Sequence, residues 1–251
     1  MGRLKGKTAV VTGASSGIGR EIAARYASEG AYVLLNYKSN RQGAELLAKQ
    51  ITQAGGQCEL LCADVSSEAG LADLLEAPKI AANEVDIWVN NAGADILTGD
   101  NAEMSDQAKL QCLLNVDLLG TINCCWAMAP KMKERGSGVI INMSWDLSVF
   151  GFAGRNPQMF AAVKAGILGF SKSLALSYSP EVRVNVLAPG WIQTAFADDA
   201  MDNSYYQARI KEIPLGRFGL GQDVAAAALY LGSDEAAYIT GQVLNINGGL
   251  V

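Results

Sequence analysis

The sequence predicts an α/β fold: one doubly wound domain in which a seven-stranded parallel sheet carries helices on both faces. Three observations predict it. Seven short apolar runs, rich in β-branched residues, recur from one end of the chain to the other. Each is apolar throughout, as a parallel strand covered on both sides should be. Between them lie segments with helical spacing, such as "REIAARYASEG" and "DVAAAALYLGS". Strands that alternate with helices close into a parallel sheet through right-handed crossovers.

The strand runs, in order, are "TAVVTG", "AYVLLNY", "CELLCAD", "VDIWVNN", "GVIINMS", "VRVNVLAP" and "GQVLNIN". In an open parallel sheet, ligands bind beyond the carboxyl ends of the strands. The first run ends in "TGASSGIG", residues 12–19. Gly13, Gly17 and Gly19 let the backbone turn tightly and approach a pyrophosphate, with Ser15 and Ser16 between them. The helix that begins near Ile18 presents free N–H groups to that anion. A glycine-rich turn can be only a turn. This one follows a strand and opens a helix, the context of a Rossmann-type dinucleotide site.

Composition narrows the remaining classes. The 251 residues suit a single domain, 1–251; half of them are hydrophobic and 18% are charged. A net charge of −5 leaves no basic footprint for nucleic acid or acidic lipid. The N-terminus lacks the long apolar region of a signal peptide, and no apolar run nears the ~18 residues of a membrane span. Five cysteines without CxxC pairs fit reduced core thiols in a cytoplasmic protein. The chain has no histidine, which excludes Ser–His–Asp and Cys–His nucleophiles; no metal site is expected.

Taken together, the motifs resemble those of the short-chain dehydrogenase/reductase family, and of its 3-oxoacyl carrier-protein reductases in particular. The resemblance covers nearly the whole chain. It rests on "TGASSGIG", "ADV" (residues 63–65), "NNAG" (90–93), "NVDLLG" (115–120), "RVNVLAPGWIQT" and "YITGQVLNINGG". It implies that Asp64 and Val65 meet the adenine, and that Asn91, Ala92 and Gly93 follow the fourth strand at the cofactor. It implies that Pro189, Gly190, Ile192 and Thr194 form the nicotinamide-facing loop, with a substrate loop at about 191–215. Asn115 falls where the family has a helix-kinking, water-holding Asn. Singly, Asn91, Asn115 or Asp64 could be no more than a cap.

The family's active site has Asn, Ser, Tyr and Lys. Asn115 and Lys164 supply two of these. Phe160 stands at the Tyr position, and the Ser position falls on Trp145 or Leu147 according to which end is counted from. A phenyl ring neither gives nor takes a proton, and loss of a general acid commonly costs ~10²–10⁴ in rate. Asp146, beside apolar Trp145, is one replacement acid. Lys164 is another, and a substrate needing no strong acid is a third route. Ser144 and Ser148 lie close by. Tyr205 and Tyr206 sit in the substrate loop, where they either reach the site or pack at the surface. After the second strand no acid appears; Lys38, Ser39 and Arg41 are placed to receive a 2′-phosphate, so NADP(H) is expected, with NAD as the alternative. The expected function is an atypical oxidoreductase acting on a small carbonyl, imine or activated alkene. The alternative is a cofactor-binding pseudoenzyme that serves as a partner or sensor. By the same resemblance, helices carrying "NCCWAMAPKM" and "NPQMFAAVKAGILGFSKSLALSYS" pair copies into dimers or tetramers.

Overall fold

Successive residues of each central strand go to opposite sides of the sheet. In β1 (Thr8–Val11), Ala9 and Val11 join one apolar core and Val10 joins the other. In β2 (Tyr32–Tyr37), Val33 and Leu35 oppose Leu34; in β4 (Ile87–Asn90), Ile87 and Val89 oppose Trp88. With both faces dry, these strands need no polar alternation. β3 (Gln57–Cys62), β5 (Gly138–Met143), β6 (Val182–Pro189) and β7 (Val243–Ile246) complete one seven-stranded sheet, ordered β3-β2-β1-β4-β5-β6-β7 and parallel throughout. Val11 lies opposite Leu35 on one side and Val89 on the other. Only the edge strands β3 and β7 depart from the doubly covered expectation, since they are half exposed. The computed structural model describes residues 2–82, 84–193 and 202–251.

Helices α1 (Gly17–Ser28) and α2 (Arg41–Gln53) pack on one face. Helices α3 (Glu68–Glu76) and α4 (Pro78–Ala81) pack on the other. Helix α5 (Asp106–Leu113) passes through one widened, π-type turn (Leu114–Leu119) into α6 (Gly120–Arg135). Helices α6 and α7 (Arg155–Tyr178) join the α3 face, α8 (Asn203–Glu212) lies beyond the sheet, and α9 (Gly221–Gly232) packs beside α1. Side-chain oxygens of Asn40, Ser67 and Ser105 accept the N–H groups of Gly43, Gly70 and Ala108, so local caps set three of the starts. Helix α7 opens at Arg155, so Asn156 lies inside its first turn. Gly154 takes the cap position at φ 126°, a conformation open to glycine, and Pro157 sits in the first turn.

Two sequence expectations change here. The continuous helix Asp106–Arg135 and α7 are long and apolar enough, by length and composition, to cross a membrane. Both lie against the sheet as core helices. Of the five free cysteines only Cys124 and Cys125 are core residues; burial pushes the Cys124 thiol up to about 12 and raises that of Cys125 as well. Cys62 is exposed, on an edge strand that leaves it uncovered.

A chain of buried polar groups ties α7 to the sheet. Trp88 Nε1 donates to Asn90 Oδ1 (2.7 Å), Asn90 Nδ2 to Asn142 Oδ1 (2.8 Å), and Asn142 Nδ2 to Ser171 Oγ (2.9 Å). Ser171 Oγ donates in turn to the Ile167 carbonyl at 2.7 Å. Such a chain stabilises only when every member is satisfied. Asn142→Ala takes the oxygen acceptor from Asn90 Nδ2, leaving it only Cys125 Sγ (3.2 Å), takes from Ser171 Oγ the bond that ties α7 to β5, and opens a cavity in the core. It should cost about 3 kcal/mol and lower Tm by about 6–12 °C in calorimetry. A native Tm would show that the chain does not hold α7.

Candidate active site

The connection after β1 leaves toward the α1 face, and the connection after β4 leaves toward the α6 face. A crevice opens between the two strand ends. Thr12 clamps it: its Oγ1 accepts the N–H groups of Asn91 (2.9 Å) and Ala92 (3.0 Å), and Asn91 Nδ2 donates to the Thr12 carbonyl. Gly13 turns at φ 64°, and a Cβ there would stand 2.9 Å from Ala92 Cα. Ser16, the N-cap of α1, makes no side-chain cap bond, so the first N–H groups of α1 have no side-chain acceptor from the cap. That is the condition of a helix end ready for an anion.

The resulting cleft of about 800 Å³ is lined near α1 by Gly13, Ser15, Ser16 and Ile18, and opposite by Asn91, Ala92 and Gly93. Lys38, Ser39, Asp64 and Val65 line it after β2 and β3. Gly17 and Gly19 stand behind it: Gly17 opens α1, and a Cβ on Gly19 would come within 2.4 Å of the Gly13 carbonyl oxygen. Arg41 does not line the cleft; its Nε pairs with Glu45 one turn along α2 (2.7 Å). Lys38 does, held 2.7 Å from Asp64. Burial pushes the Asp64 carboxyl up, but the Lys38 and Ser66 hydrogen bonds outweigh it and hold it below the usual range.

At the other end of the cleft are Phe160 and Lys164, four residues apart on α7. Lys164 is buried, and its Nζ lies 2.8 Å from Asp117 Oδ2 and 3.4 Å from the Met143 carbonyl. Asp117 sits in the π-type turn, 2% exposed, and its other oxygen accepts the Ala94 N–H at 2.8 Å. Gly93 leaves room for it, since a Cβ there would lie 3.3 Å from Asp117 Oδ2. Asn115 is not at this point. Its amide oxygen takes a bond from Gln111 (2.8 Å) and it lines neither cavity. Two residues separate the positions, and the widened turn directs Asp117 inward instead. Spacing alone did not single out Asp117; its position three residues before Gly120 was the available signal.

A second cavity, of about 590 Å³, shares Ile18, Phe160 and Lys164 with the cleft. Trp145, Gly190, Ile192 and Tyr205 line it, and Ser144 does so while its Oγ donates to the Lys164 carbonyl at 2.9 Å. Trp145 and Phe160 pack with ring centres 6.4 Å apart. Asp146 is buried and is not among the residues that line this cavity. Its carboxylate accepts the Leu147 N–H and the Asn247 amide (3.2 Å), beside Gly190. Burial raises the Asp146 pKa, against the pull of Asn247 and of backbone N–H groups. Leu147 and Ser148 are buried outside both cavities, with Ser148 Oγ lacking a hydrogen-bond partner among the described residues. Pro189 ends β6, Tyr206 packs on Phe218, and Thr194 lies outside the described residues.

Removing one partner of a buried ion pair leaves an uncompensated charge, typically at 3–5 kcal/mol. Asp117→Ala is expected to lose about that much, read from the urea midpoint, whereas Asn115→Ala should shift it by less than about 1 kcal/mol. Equal losses at both positions would contradict the geometry.

The family model described as "Enoyl-(Acyl carrier protein) reductase" matches residues 13–251. The chain is 37% identical to 3beta-hydroxysteroid dehydrogenase 1 of Eggerthella lenta, over 98% of this chain and 94% of that protein. It is 36% identical to the 3-oxoacyl-[acyl-carrier-protein] reductase FabG of Staphylococcus aureus, over 97% and 98%. Its fold matches a 7α-hydroxysteroid dehydrogenase complexed with NADH and 7-oxo glycochenodeoxycholic acid (TM-score 0.89, 31% identity, 98% and 95% covered). It also matches a gluconate 5-dehydrogenase from Burkholderia cenocepacia in complex with NADP and tartrate (TM-score 0.86, 29% identity, 99% and 96% covered). By sheet order, site and likeness over its whole length, the chain belongs to the short-chain dehydrogenase/reductase family.

Proposed function

We propose that this protein is an NADP(H)-dependent oxidoreductase for a small carbonyl, imine or activated alkene, in which Phe160 stands where the family has its tyrosine acid. One observation carries the reading: a buried cation, Lys164, is fixed where the dinucleotide cleft meets a separate apolar cavity. Bound NADP(H) would supply the hydride chemistry. The chain's own part is to seat the pyrophosphate at Gly13–Ser16 and the start of α1, and to receive the 2′-phosphate at Lys38 and Ser39. Lys164 faces the ribose and the reacting group. With Phe160 unable to donate and Asp146 turned to Asn247, the proton comes from Lys164 Nζ, which water then reprotonates. Asp117 keeps that nitrogen in place.

A second reading has its own support. Besides Lys164, the residues that line both cavities are Ile18 and Phe160, and the ring packed on Phe160 is Trp145; none of these can transfer a proton. That favours a cofactor-holding protein without ordinary ketone reductase activity. Under either reading we propose a cytoplasmic homo-oligomer; exposed Trp126 (61%) and Leu176 (85%) on α6 and α7 support the assembly. Light scattering of the Trp126→Glu, Leu176→Glu double variant should then show a smaller particle than wild type.

Calorimetry and NADPH absorbance test the function together. NADPH should bind at least about tenfold tighter than NADH, and Lys38→Ala should erase most of the difference, as loss of a charged hydrogen bond would. Arg41→Ala should change it little. Equal binding of both cofactors in wild type would defeat the NADP(H) assignment. Tight NADPH binding with no oxidation across a panel of ketones, imines and enones would favour the second reading.

A further inference from the structure

We propose that the cavity beside Lys164 takes an uncharged, flat, fused-ring substrate carrying one carbonyl or equivalent group. The reacting group rests on the oxidoreductase reading; the shape and charge of the occupant rest on the cavity itself. Its volume of about 590 Å³ suits a small molecule and not a peptide. Its walls are unusually aromatic. Trp145 and Phe160 form one pair, and Trp191 is braced by Phe152 (5.9 Å, 74°), Tyr205 (6.1 Å, 81°) and Phe218 (5.9 Å, 28°). Of these six rings all but Phe218 line the cavity. Rings held edge-on by other rings are rigid walls, and little side-chain freedom remains to be lost on binding. A flat ring gains stacking and edge contacts from such walls beyond its buried area; a flexible chain gains area alone and loses its own torsional freedom.

Charge is excluded by pairing. No Asp or Glu is among the described residues that line the cavity, and Asp146 is engaged with Asn247, so a cationic ring meets no counter-charge from those residues. The two cations on the lining are both held. Lys164 pairs with Asp117 at 2.8 Å, and Arg155 pairs with Asp106 at 2.6 Å. Arg209 lies over the Phe152 and Tyr205 rings and pairs with Glu212 at 2.8 Å. An anionic ring that drew on Lys164 would have to compete with the buried Asp117 carboxylate, and Arg155, exposed and paired with exposed Asp106, offers only a charge weakened by solvent. The neutral polar side chains on the lining are Ser144, Asn156 and Tyr205, and one neutral acceptor on the substrate meets Lys164 Nζ.

The test uses the full chain saturated with NADP⁺ and four probes of nearly equal size: 2-tetralone, 2-decanone, N-methylquinolinium and 2-naphthoate. Binding is read by quenching of tryptophan fluorescence, to which Trp145 and Trp191 report directly. 2-Tetralone should bind at least about tenfold tighter than each of the others, a difference of about 1.4 kcal/mol. Phe152→Leu and Tyr205→Leu, which keep bulk and remove a ring, should each weaken 2-tetralone severalfold and leave 2-decanone unchanged. Equal or tighter binding of 2-decanone would overturn the ring preference, and equal or tighter binding of either ion would overturn the charge assignment. The wild-type series stands even where a variant fails to fold. The outcome also separates the two proposals. 2-Tetralone that binds tightly but leaves NADPH unoxidised refutes the oxidoreductase reading and supports this one. Oxidation with 2-decanone, and none with 2-tetralone, does the reverse.

Discussion

The reversal of winding between β1 and β4 is the constraint on which the rest of the site depends. Helix α1 goes to one face and α5–α6 to the other, so the ends of two neighbouring strands are left without a covering helix. Backbone groups there need partners, and Thr12 and Asn91 supply them for each other. The clamp holds the crevice open at a fixed width. Gly13 can then approach Ala92 closely on one wall, and α1 can aim its N-terminus at the space between.

The reaction end depends on a second constraint, the position of α7. The polar chain from Trp88 through Asn90 and Asn142 to Ser171 fixes that helix against β4 and β5 at a point two turns beyond Lys164. Lys164 is thereby held inside the protein, where a lone ammonium is costly to bury. The π-type turn meets that need by turning Asp117 inward. An inserted turn of this kind spends helical regularity for a side-chain direction, and such turns are frequent at functional sites. The carboxylate also makes the lysine less available to a substrate's charge. The proposal of a neutral occupant for the adjoining cavity rests on that pairing.

The aromatic lining follows from the same economy of polar groups. Trp145 occupies one of the two places where a hydroxyl was expected, and its ring meets Phe160. Leu147, the other, is buried in the short turn at Asp146–Ser148 and faces neither cavity. The polar residues of this segment are directed elsewhere: Ser144 to the backbone of α7 and Asp146 to Asn247. On the proposed reading, a cavity in which Trp145 and Phe160 pack together and Ser144 donates to backbone selects by shape and ring contact more than by hydrogen bonding.

By itself the sequence determined the parallel sheet, its glycine turn and the pairing of Phe160 with Lys164. Each is a local matter of periodicity, of backbone freedom or of residues one helical turn apart. The family was legible for the same reason, because its motifs sit at strand ends in a fixed order. Direction was not legible. Arg41 and Lys38 lie in one short basic stretch, yet an i,i+4 carboxylate draws Arg41 along α2 while Asp64, from a different strand, draws Lys38 into the cleft. Asn115 and Asp117 are two residues apart, and only a widened turn settles which of them points at Lys164. Asp146 is polar beside apolar neighbours, and only the C-terminal segment, a hundred residues away in sequence, supplies the amide that turns it from the cavity. In each case the deciding partner is a charge or donor brought near by packing, and so tertiary structure chose among side chains that the sequence left equivalent.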